Sequence, residues 1–348
     1  MNRLNVSPID GQKDALPPAE ERARTAPSFQ KARNEEDRGR KADVPGQIPK
    51  FGWWDILVRV KDQISRDNVS IVAAGVAFYC VLALFPALAA IVSIYGLVTS
   101  QQEVQQQIGS ISDLLPTEAQ SLIQEQLLSI STSTGSALGF GAIGGLLLAI
   151  WSSSKGMSAL ITSLNIAYNE EEKRSFLKVT ALAVFLTVMG IIFVILTLFL
   201  ITMLPIVLAA FGFGEFAQTS LSLARWPLLA GIVMVGLTLL YRYAPCRNNP
   251  KWEWVSWGAA TATILWIIGS SGFAIYANEY ANYNQTYGSL GAAVILLMWF
   301  WLTAFIVMLG AELNSEMERQ TKKDTTVGDQ EPMGQREAYS ADTLGPKQ

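Results

Sequence analysis

The most constraining feature of this sequence is a long internal region that has almost no charge. Residues 68–311 contain only 18 of the 55 charged residues of the 348-residue chain, about 7% of their length. Soluble domains carry about 25% charged residues, and a region this poor in charge cannot present a water-facing surface on all sides. The sequence therefore predicts that residues 68–311 are embedded in a membrane.

Six apolar segments in this region have the length of membrane-spanning helices. A helix needs about 20 residues to cross a hydrocarbon layer of about 30 Å. The segments are rich in Leu, Ile and Val without strict alternation, which disfavours barrel strands. The predicted fold is an all-α, polytopic membrane protein whose six transmembrane helices are residues 71–98, 137–155, 180–211, 226–244, 255–276 and 289–311.

Lysine and arginine are distributed very unequally between the two sides of this six-helix arrangement. Of the 26 such residues, 25 lie in the N-terminal region, the 2–3 connection, the 4–5 connection and the C-terminal tail. Only Arg225 lies on the opposite side. Because cytoplasmic loops are enriched in Lys and Arg, we predict that both termini are cytoplasmic.

An amphipathic helix is predicted just before the first span, over residues 51–67. One face carries Trp53, Leu57, Val60 and Ile64, and the opposite face carries Asp55, Arg59, Asp62 and Arg66. The acidic and basic residues are spaced as i,i+4 pairs, which stabilise a helix slightly. Two positions suit such a helix, namely the lipid headgroup plane and a groove on the protein's own helices.

The 1–2 connection, residues 99–136, is predicted to be helical and to lie on the extracytoplasmic side. After Pro116, a favourable first-turn residue, an apolar stripe follows at Ala119, Leu122, Ile123, Leu127 and Ile130. This helix either covers the ends of the membrane helices or gates a substrate.

Both ends of the chain are predicted to be disordered cytoplasmic tails. Residues 1–50 and 318–348 are rich in charged residues and poor in aromatic and β-branched ones. Such segments bury too little apolar surface to offset the entropy lost on ordering. The predicted organisation is therefore a six-helix membrane domain at residues 51–317 between two tails.

The composition also excludes several kinds of chemistry. The chain has no histidine, which removes the Ser-His-Asp and Cys-His nucleophile systems and the His-containing zinc sites. Its two cysteines, Cys80 and Cys246, are interpreted as packing residues rather than as redox or ligand groups. We predict no catalytic residues, no metal, no cofactor and no enzymatic activity.

Two ionisable residues near the cytoplasmic ends of spans are the first candidates for a polar path. Lys155 follows span 2, and Glu312 follows span 6 at a similar depth. Charged residues at membrane depth mark ion or substrate routes. They are predicted either to face each other or to line an inner vestibule. The alternative is a lysine that extends to the interface beside a surface glutamate.

A second candidate lies on the outer side, where tyrosine and amide side chains alternate. Tyr276, Tyr280, Tyr283 and Tyr287 recur at helical spacing, and Asn278, Asn282 and Gln285 are interleaved with them. The pattern is typical of an aromatic belt at the membrane interface. The three amide side chains are alternatively the polar mouth for a solute.

Several sequence strings resemble the YihY/BrkB family of bacterial inner-membrane proteins over roughly residues 53–318. They are Ala74-Gly-Val-Ala-Phe-Tyr79 with Phe85-Pro86, Asn165-Ile-Ala-Tyr168, Tyr241-Arg-Tyr-Ala-Pro245, Thr286-Tyr-Gly-Ser-Leu-Gly-Ala292 and Gly310-Ala-Glu-Leu-Asn314. The resemblance implies six transmembrane helices with cytoplasmic ends and no settled biochemical activity. The old family label of ribonuclease BN is rejected, because RNA hydrolysis needs metal ligands and a basic, water-exposed cleft.

These observations favour a transporter or exporter of a small solute or lipid-like molecule. The alternative is a non-transporting scaffold that organises envelope proteins. The predicted partners are the lipid bilayer and the unknown solute or lipid, with no nucleic acid. Small-residue steps at Gly141–Gly145, Gly258–Ala262 and Ser289–Ala293 favour close helix packing, either within one chain or in a homo-oligomer.

Overall fold

The computed structural model describes residues 37–98, 137–210, 215–280 and 289–348. Within these ranges the chain forms eight α-helices, which are α1 Lys50–Arg66, α2 Val69–Val98, α3 Ala137–Ala167, α4 Phe176–Ala210, α5 Glu215–Tyr243, α6 Trp252–Tyr280, α7 Ser289–Glu318 and α8 Tyr339–Asp342. The same ranges contain no β-strand, only an isolated antiparallel bridge between Pro250 and Thr326. The prediction of an all-α fold is confirmed.

Helices α2 to α7 coincide with the six predicted apolar segments. They contain between 29 and 35 residues each, or about 44–52 Å of helix at the usual rise per residue. A hydrocarbon layer of about 30 Å covers only part of this length. Each helix is therefore longer than one crossing requires, and polar residues of the family-like strings lie at several of the helix ends.

The structure contains several helices that are long and apolar enough to cross a membrane. Among the described residues these are Phe176–Thr197, Trp252–Ala277 and Ala293–Glu318. The consecutive helices Lys50–Arg66 and Val69–Leu84, bent by 61° at their junction, form a fourth span if they are counted together. In each of the first three of these helices, less than a third of the most apolar stretch is buried within the protein, so most of its side chains are available to lipid. The exact number of six spans stays a prediction.

The long helices pack as a closed ring. Each helix from α2 to α7 packs against the next one along the chain, and α7 packs back against α2. Helix α7 also contacts α1 and α3, which makes it the most connected element. The main buried cluster lies near one end of the ring and combines side chains of all five helices from α3 to α7. It contains Leu164, Tyr168, Ala183, Tyr241, Ala259, Ala262, Val307 and Ala311.

Helix α1 forms as predicted, but the structure orients it differently. Its buried side includes Asp55, Ile56, Arg59 and Val60, whereas Leu57 is exposed. The predicted polar face is therefore turned partly into the protein. The reason is that its charges find partners distant in sequence. Asp55 pairs with Arg38, and Arg59 pairs with Glu316, so the proposed i,i+4 pairs are not what stabilises this helix.

The prediction of a disordered C-terminal tail was wrong. Residues 319–348 fold against the ends of α1 and α7, and Gln320, Thr321, Thr325, Arg336 and Ser340 are all buried. Hydrogen bonds to backbone carbonyls hold the segment, because the Arg336 guanidinium donates to Lys322, Lys323, Glu331 and Ala341. Composition rules count apolar burial and miss this kind of polar order.

The N-terminal boundary is corrected in the same way. Residues 37–50 are folded, and Ala42 and Ile48 pack with Trp254 and Met317 in a second buried cluster. The side chain of Arg40 donates to the carbonyl oxygens of Arg319 and Gly345 at 3.2 and 2.7 Å. Residues 37–50 and 319–348 together form a layer, here called the tail layer. Residues 1–36 and the predicted helix in the 1–2 connection lie outside the described residues.

Candidate functional site

The last two turns of α7 form the densest polar region of the described structure. Every residue from Ala311 to Glu318 is buried, although four of the eight are Glu312, Asn314, Glu316 and Glu318. Residues four apart lie on the same face of a helix, so Glu312 and Glu316 share one face of α7, and Asn314 and Glu318 share another. Their bonding partners nevertheless differ, so each side chain has its own chemical environment.

Asn314 and Gly310 fix the crossing of α7 with α6. The Asn314 side-chain oxygen accepts the backbone N–H of Gly258 at 2.8 Å, and its amide nitrogen donates to the Val255 carbonyl and the Tyr168 hydroxyl, both at 3.3 Å. A Cβ on Gly258 would overlap the Gly310 carbonyl oxygen and the Asn314 side chain. The α6 and α7 backbones are in direct contact here, which explains why small residues are needed at Gly258 and Ala262. This small-residue step therefore packs within one chain.

Three of the strings that carry the family resemblance, those that begin at Asn165, Tyr241 and Gly310, meet at this crossing. The hydroxyl of Tyr241 donates to the Val307 carbonyl at 2.8 Å, beside Gly310. The side-chain oxygen of Asn165 accepts the backbone N–H of Cys246 at 2.8 Å. Segments that are far apart in sequence therefore form one hydrogen-bonded unit, and their polar residues act there as helix-packing contacts.

Glu316 faces α1 and is fully paired. Its carboxylate forms ion pairs with the guanidinium groups of Arg59 and Arg319. Arg59 also donates to the side-chain oxygen of Gln320 at 2.8 Å and to the Pro346 carbonyl at 3.1 Å. Charged hydrogen bonds of this kind compensate burial, so this cluster is read as the attachment of the tail layer to the membrane helices.

Glu312, one of the predicted site residues, is buried without compensation. Its residue exposure is 0%, and neither carboxyl oxygen accepts a hydrogen bond from a donor among the described residues. It lies one turn after Met308, which packs against Val69 at the start of α2. This face of α7 points at the bend between α1 and α2, where Glu312 interacts most strongly with the carboxyl group of Asp67.

Asp67 occupies the junction of α1 and α2 and is half-buried. The next residue, Asn68, adopts a left-handed conformation with φ of 49°, which produces the sharp turn between the helices. Burial raises the pKa of the Asp67 carboxyl, while its interactions with Glu312 and Arg66 act in the opposite direction. Asp67 was not among the predicted site residues, because in the sequence it is an ordinary polar residue at the end of an amphipathic helix.

Lys155 and Glu312 are not brought together as an ion pair. Lys155 is exposed, and its ammonium nitrogen lies 4.9 Å from the ring centroid of Trp151. Glu312, in contrast, is fully buried. A lysine lying over a tryptophan is the geometry of a side chain that extends towards the interface.

The outer candidate residues cannot be placed in the same way. Asn282 and Gln285 lie outside the described residues. Asn278 belongs to α6, but its side chain is also outside them. The polar mouth on the outer side therefore stays a prediction.

The described residues contain no group of three or more Cys, Asp or Glu side chains placed to hold a metal ion. The polar residues at the end of α7 are instead distributed between packing contacts, paired ions and the single unpaired carboxyl of Glu312. What this arrangement can do chemically is bind a positive charge at Glu312, next to a second carboxyl group at Asp67.

Comparison with known proteins agrees with the helices and with this motif-bearing region. The family model for virulence factor BrkB matches residues 60–334, which includes part of the tail layer. The ribonuclease-like protein YfkH of Bacillus subtilis (strain 168) is 32% identical, covering 72% of this chain and 90% of its own length.

Relatives in other bacteria carry names that refer to a membrane. UPF0761 membrane protein PSHAa0171 of Pseudoalteromonas translucida (strain TAC 125) is 24% identical over 79% of this chain and 88% of its own. UPF0761 membrane protein IL2447 of Idiomarina loihiensis (strain ATCC BAA-735 / DSM 15497 / L2-TR) is 25% identical over 74% and 88%. No solved structure matches the chain. The resemblance seen in the sequence strings is confirmed, and the chain belongs to the virulence factor BrkB family of membrane proteins.

Proposed function

We propose that this chain is a multi-pass transporter of the bacterial inner membrane that moves a small solute or a lipid-like molecule. The proposal includes six spans with both termini in the cytoplasm. Its single supporting observation is Glu312, an unpaired carboxyl group buried in a helix long and apolar enough to span a membrane. Ionisable residues in such helices are costly and are typical of ion and substrate routes.

The position of Glu312 places the proposed route at the junction of α7 with the α1–α2 bend. Asp67 is partly exposed there, and the bend separates α1 from the apolar part of α2. Under the proposed topology this junction faces the cytoplasm. A substrate would then enter or leave beside the tail layer.

Reconstitution into liposomes tests transport directly. The purified full chain is assayed for flux of ions, small metabolites and fluorescent lipids, together with Glu312→Gln. The exposed first-turn residue of α6 supplies the matched control Glu253→Gln. We expect flux of one class, at least tenfold slower in Glu312→Gln and unchanged in the control. Absence of flux in every class contradicts the proposal.

Reporter fusions test the proposed orientation. A reporter inserted after residue 120 is expected on the extracytoplasmic side, and one fused after residue 348 is expected in the cytoplasm. Finding both reporters on the same side would contradict the six-span arrangement without bearing on flux.

A scaffold for envelope proteins is the second candidate, and the tail layer favours it. This layer is folded rather than loose, and it exposes Val327, Met333 and Tyr339. Apolar side chains on a folded cytoplasmic surface are typical of protein contacts. For a scaffold, Val327→Ser with Met333→Ser should release partner proteins that co-purify with the full chain. For a transporter, the same variant should keep full flux.

We further propose that the chain has no ribonuclease activity. The described residues lack a three-ligand acidic group, and the buried arginines bind carboxylates and backbone carbonyls rather than lining a cleft. Incubation of the purified chain with labelled RNA and Mg²⁺ should leave the RNA intact. Cleavage that persists through a second purification step would reverse this conclusion.

A further inference from the structure

We propose that Glu312 and Asp67 form a proton-binding site, in which the two carboxyl groups share one exchangeable proton at neutral pH. The site lies where α7 meets the bend between α1 and α2. The inference goes beyond transport, because proton binding is measured on the protein without any flux. Either proposal can therefore fail while the other stands.

The first step is the uncompensated burial of Glu312. Its exposure is 0%, and neither carboxyl oxygen accepts a hydrogen bond from a donor in the described part of the chain. An ionised carboxylate in such a position loses its hydration and gains nothing in return. The neutral acid avoids most of this cost, so binding a proton is the simplest way for Glu312 to remain buried.

The second step is the set of charges that face Glu312. The α1–α2 junction contributes Asp67, and the residue after α3 contributes the hydroxyl of Tyr168. The end of α7 contributes Glu316 and the residue that follows the helix, Arg319. The guanidinium of Arg319 is already bonded to the Glu316 carboxylate, which also binds Arg59. Arg66 lies beside Asp67 rather than Glu312, and two neighbouring carboxyl groups that share one cation favour a shared proton over two negative charges.

The third step assigns the proton to Glu312. Asp67 accepts a hydrogen bond from the side-chain amide of Gln63 at 3.4 Å and lies near the guanidinium of Arg66, and both favour a negative charge on it. Asp67 is also partly exposed, whereas Glu312 is not. The ionised form is therefore better tolerated at Asp67. Glu312 takes its proton from cytoplasmic water by way of this junction, and its O–H points towards the Asp67 carboxylate.

The fourth step distinguishes a proton from a metal cation. Calcium and magnesium need about six or more oxygen ligands, and no group of three acidic or thiol side chains converges in the residues that the structure describes. Two carboxyl groups are enough to bind a proton, but they supply too few oxygen ligands to hold a calcium or magnesium ion.

Infrared spectroscopy of the full chain in lipid nanodiscs tests the proposal. Difference spectra are recorded across a titration from about pH 5 to about pH 9, bracketing the ordinary range of a shifted carboxyl group. The samples are the wild type, Glu312→Gln, Asp67→Asn and the exposed control Glu253→Gln. Each titration is run in choline, potassium and sodium salts.

The expected result is a neutral-carboxyl carbonyl band at pH 7 that is present in the wild type and in Glu253→Gln and absent in Glu312→Gln. In Asp67→Asn the band should disappear at a lower pH, because the neighbouring negative charge has gone. If Glu312→Gln does not fold, the shift of the titration in Asp67→Asn decides the test by itself.

Three results overturn the proposal. The first is no neutral-carboxyl band at pH 7 in the wild type. The second is a band that Glu312→Gln retains or, if that variant does not fold, one whose titration Asp67→Asn leaves unchanged. The third is a band that appears only when sodium or potassium is removed, which would identify a metal-cation site in place of a proton site.

Discussion

Arg247 and Glu318 form a bidentate ion pair in which both side chains are completely inaccessible to solvent. The two guanidinium nitrogens donate to the two carboxylate oxygens at 2.9 and 2.7 Å. The hydroxyl of Thr325 donates to the same carboxylate at 2.6 Å, and the guanidinium lies 5.1 Å from the ring centroid of Tyr168. The pair therefore links the α5–α6 connection, the end of α7 and the tail layer.

Removing one partner of this pair should destabilise the protein strongly. Arg247→Ala leaves the Glu318 carboxylate buried without its counter-ion, and breaking a buried pair in this way costs about 3–5 kcal/mol. Denaturant unfolding of the detergent-solubilised chain measures the change. The double variant Arg247→Met with Glu318→Leu should recover most of the loss, because neither charge is then left unpaired.

The matched control is an exposed ion pair of the same tail layer. Lys323 and Asp43 lie 3.6 Å apart, with side-chain exposures of 49% and 65%. Such pairs contribute about 0–1 kcal/mol, so Lys323→Ala should change the unfolding free energy little. Equal losses of unfolding free energy for Arg247→Ala and Lys323→Ala would show that burial does not increase the contribution of the Arg247–Glu318 pair to stability.

A second prediction concerns the contact between the α6 and α7 backbones. Gly258→Ala introduces a methyl group where the Gly310 carbonyl and the Asn314 side chain already lie. Overpacking of this kind costs about 1–3 kcal/mol. Gly272 is in the same helix and has nothing within 4 Å of an added Cβ, so Gly272→Ala should be neutral or slightly stabilising. Thermal unfolding of both variants in one detergent compares them, and equal melting temperatures would contradict the close crossing.

The elements predicted from the sequence are those controlled by local apolar content. Runs of Leu, Ile and Val determined where α2 to α7 occur, because a long apolar segment has few alternatives to a helix in lipid. The burial of Glu312 was different, since it depends on the bend at Asn68 that brings Asp67 towards α7. No local pattern encodes that approach.

The folding of the tail layer could not be predicted from its composition. Residues 319–348 have the composition of a disordered segment, yet they fold because side chains such as Arg336 and Asp324 bond to backbone groups of the same segment. Apolar periodicity contains no information on such bonds. The signal that was present is the clustering of Asp, Thr and Arg residues suited to side chain–backbone hydrogen bonds, which the emphasis on apolar burial overlooked.

Asp324 should make the tail layer sensitive to acid. Burial alone would raise the pKa of its carboxyl, but hydrogen bonds from the Glu331 backbone and from Thr326, together with Arg336, outweigh this effect and lower it. A carboxyl group whose pKa is lowered on folding stabilises the fold at pH values above its pKa in the unfolded chain. This stabilisation is lost as the pH falls through the pKa of the folded state. Protonation should therefore loosen residues 319–348.

A variant reproduces this acid effect at neutral pH. Asp324→Asn removes the charge, and trypsin should then cleave faster after Lys322 and Lys323 than in the wild type. Asp329→Asn, at an exposed position of the same segment, should leave the cleavage rate unchanged. Equal cleavage of both variants would mean that Asp324 does not hold the tail layer in place.

Glu172 provides the last prediction, at the connection between α3 and α4. Its carboxylate accepts hydrogen bonds from the Arg174 side chain at 2.6 and 2.8 Å and from the Asn165 amide at 3.0 Å. Bonding to Arg174 is the main cause that lowers the pKa of Glu172 to about 2. The stabilisation should be fully present above the ordinary carboxyl value of about 4.3 and disappear as pH falls towards 2.

The difference in melting temperature between the wild type and Glu172→Gln, followed from about pH 6 downwards, measures this contribution. It should be constant above the ordinary carboxyl range and decrease steadily below it, because the wild-type carboxylate then becomes protonated and resembles the neutral variant. Glu171→Gln removes the same charge from the adjacent position and should show no such decrease. A Glu172→Gln difference that is independent of pH would mean that the Glu172–Arg174 contact does not contribute through its charge.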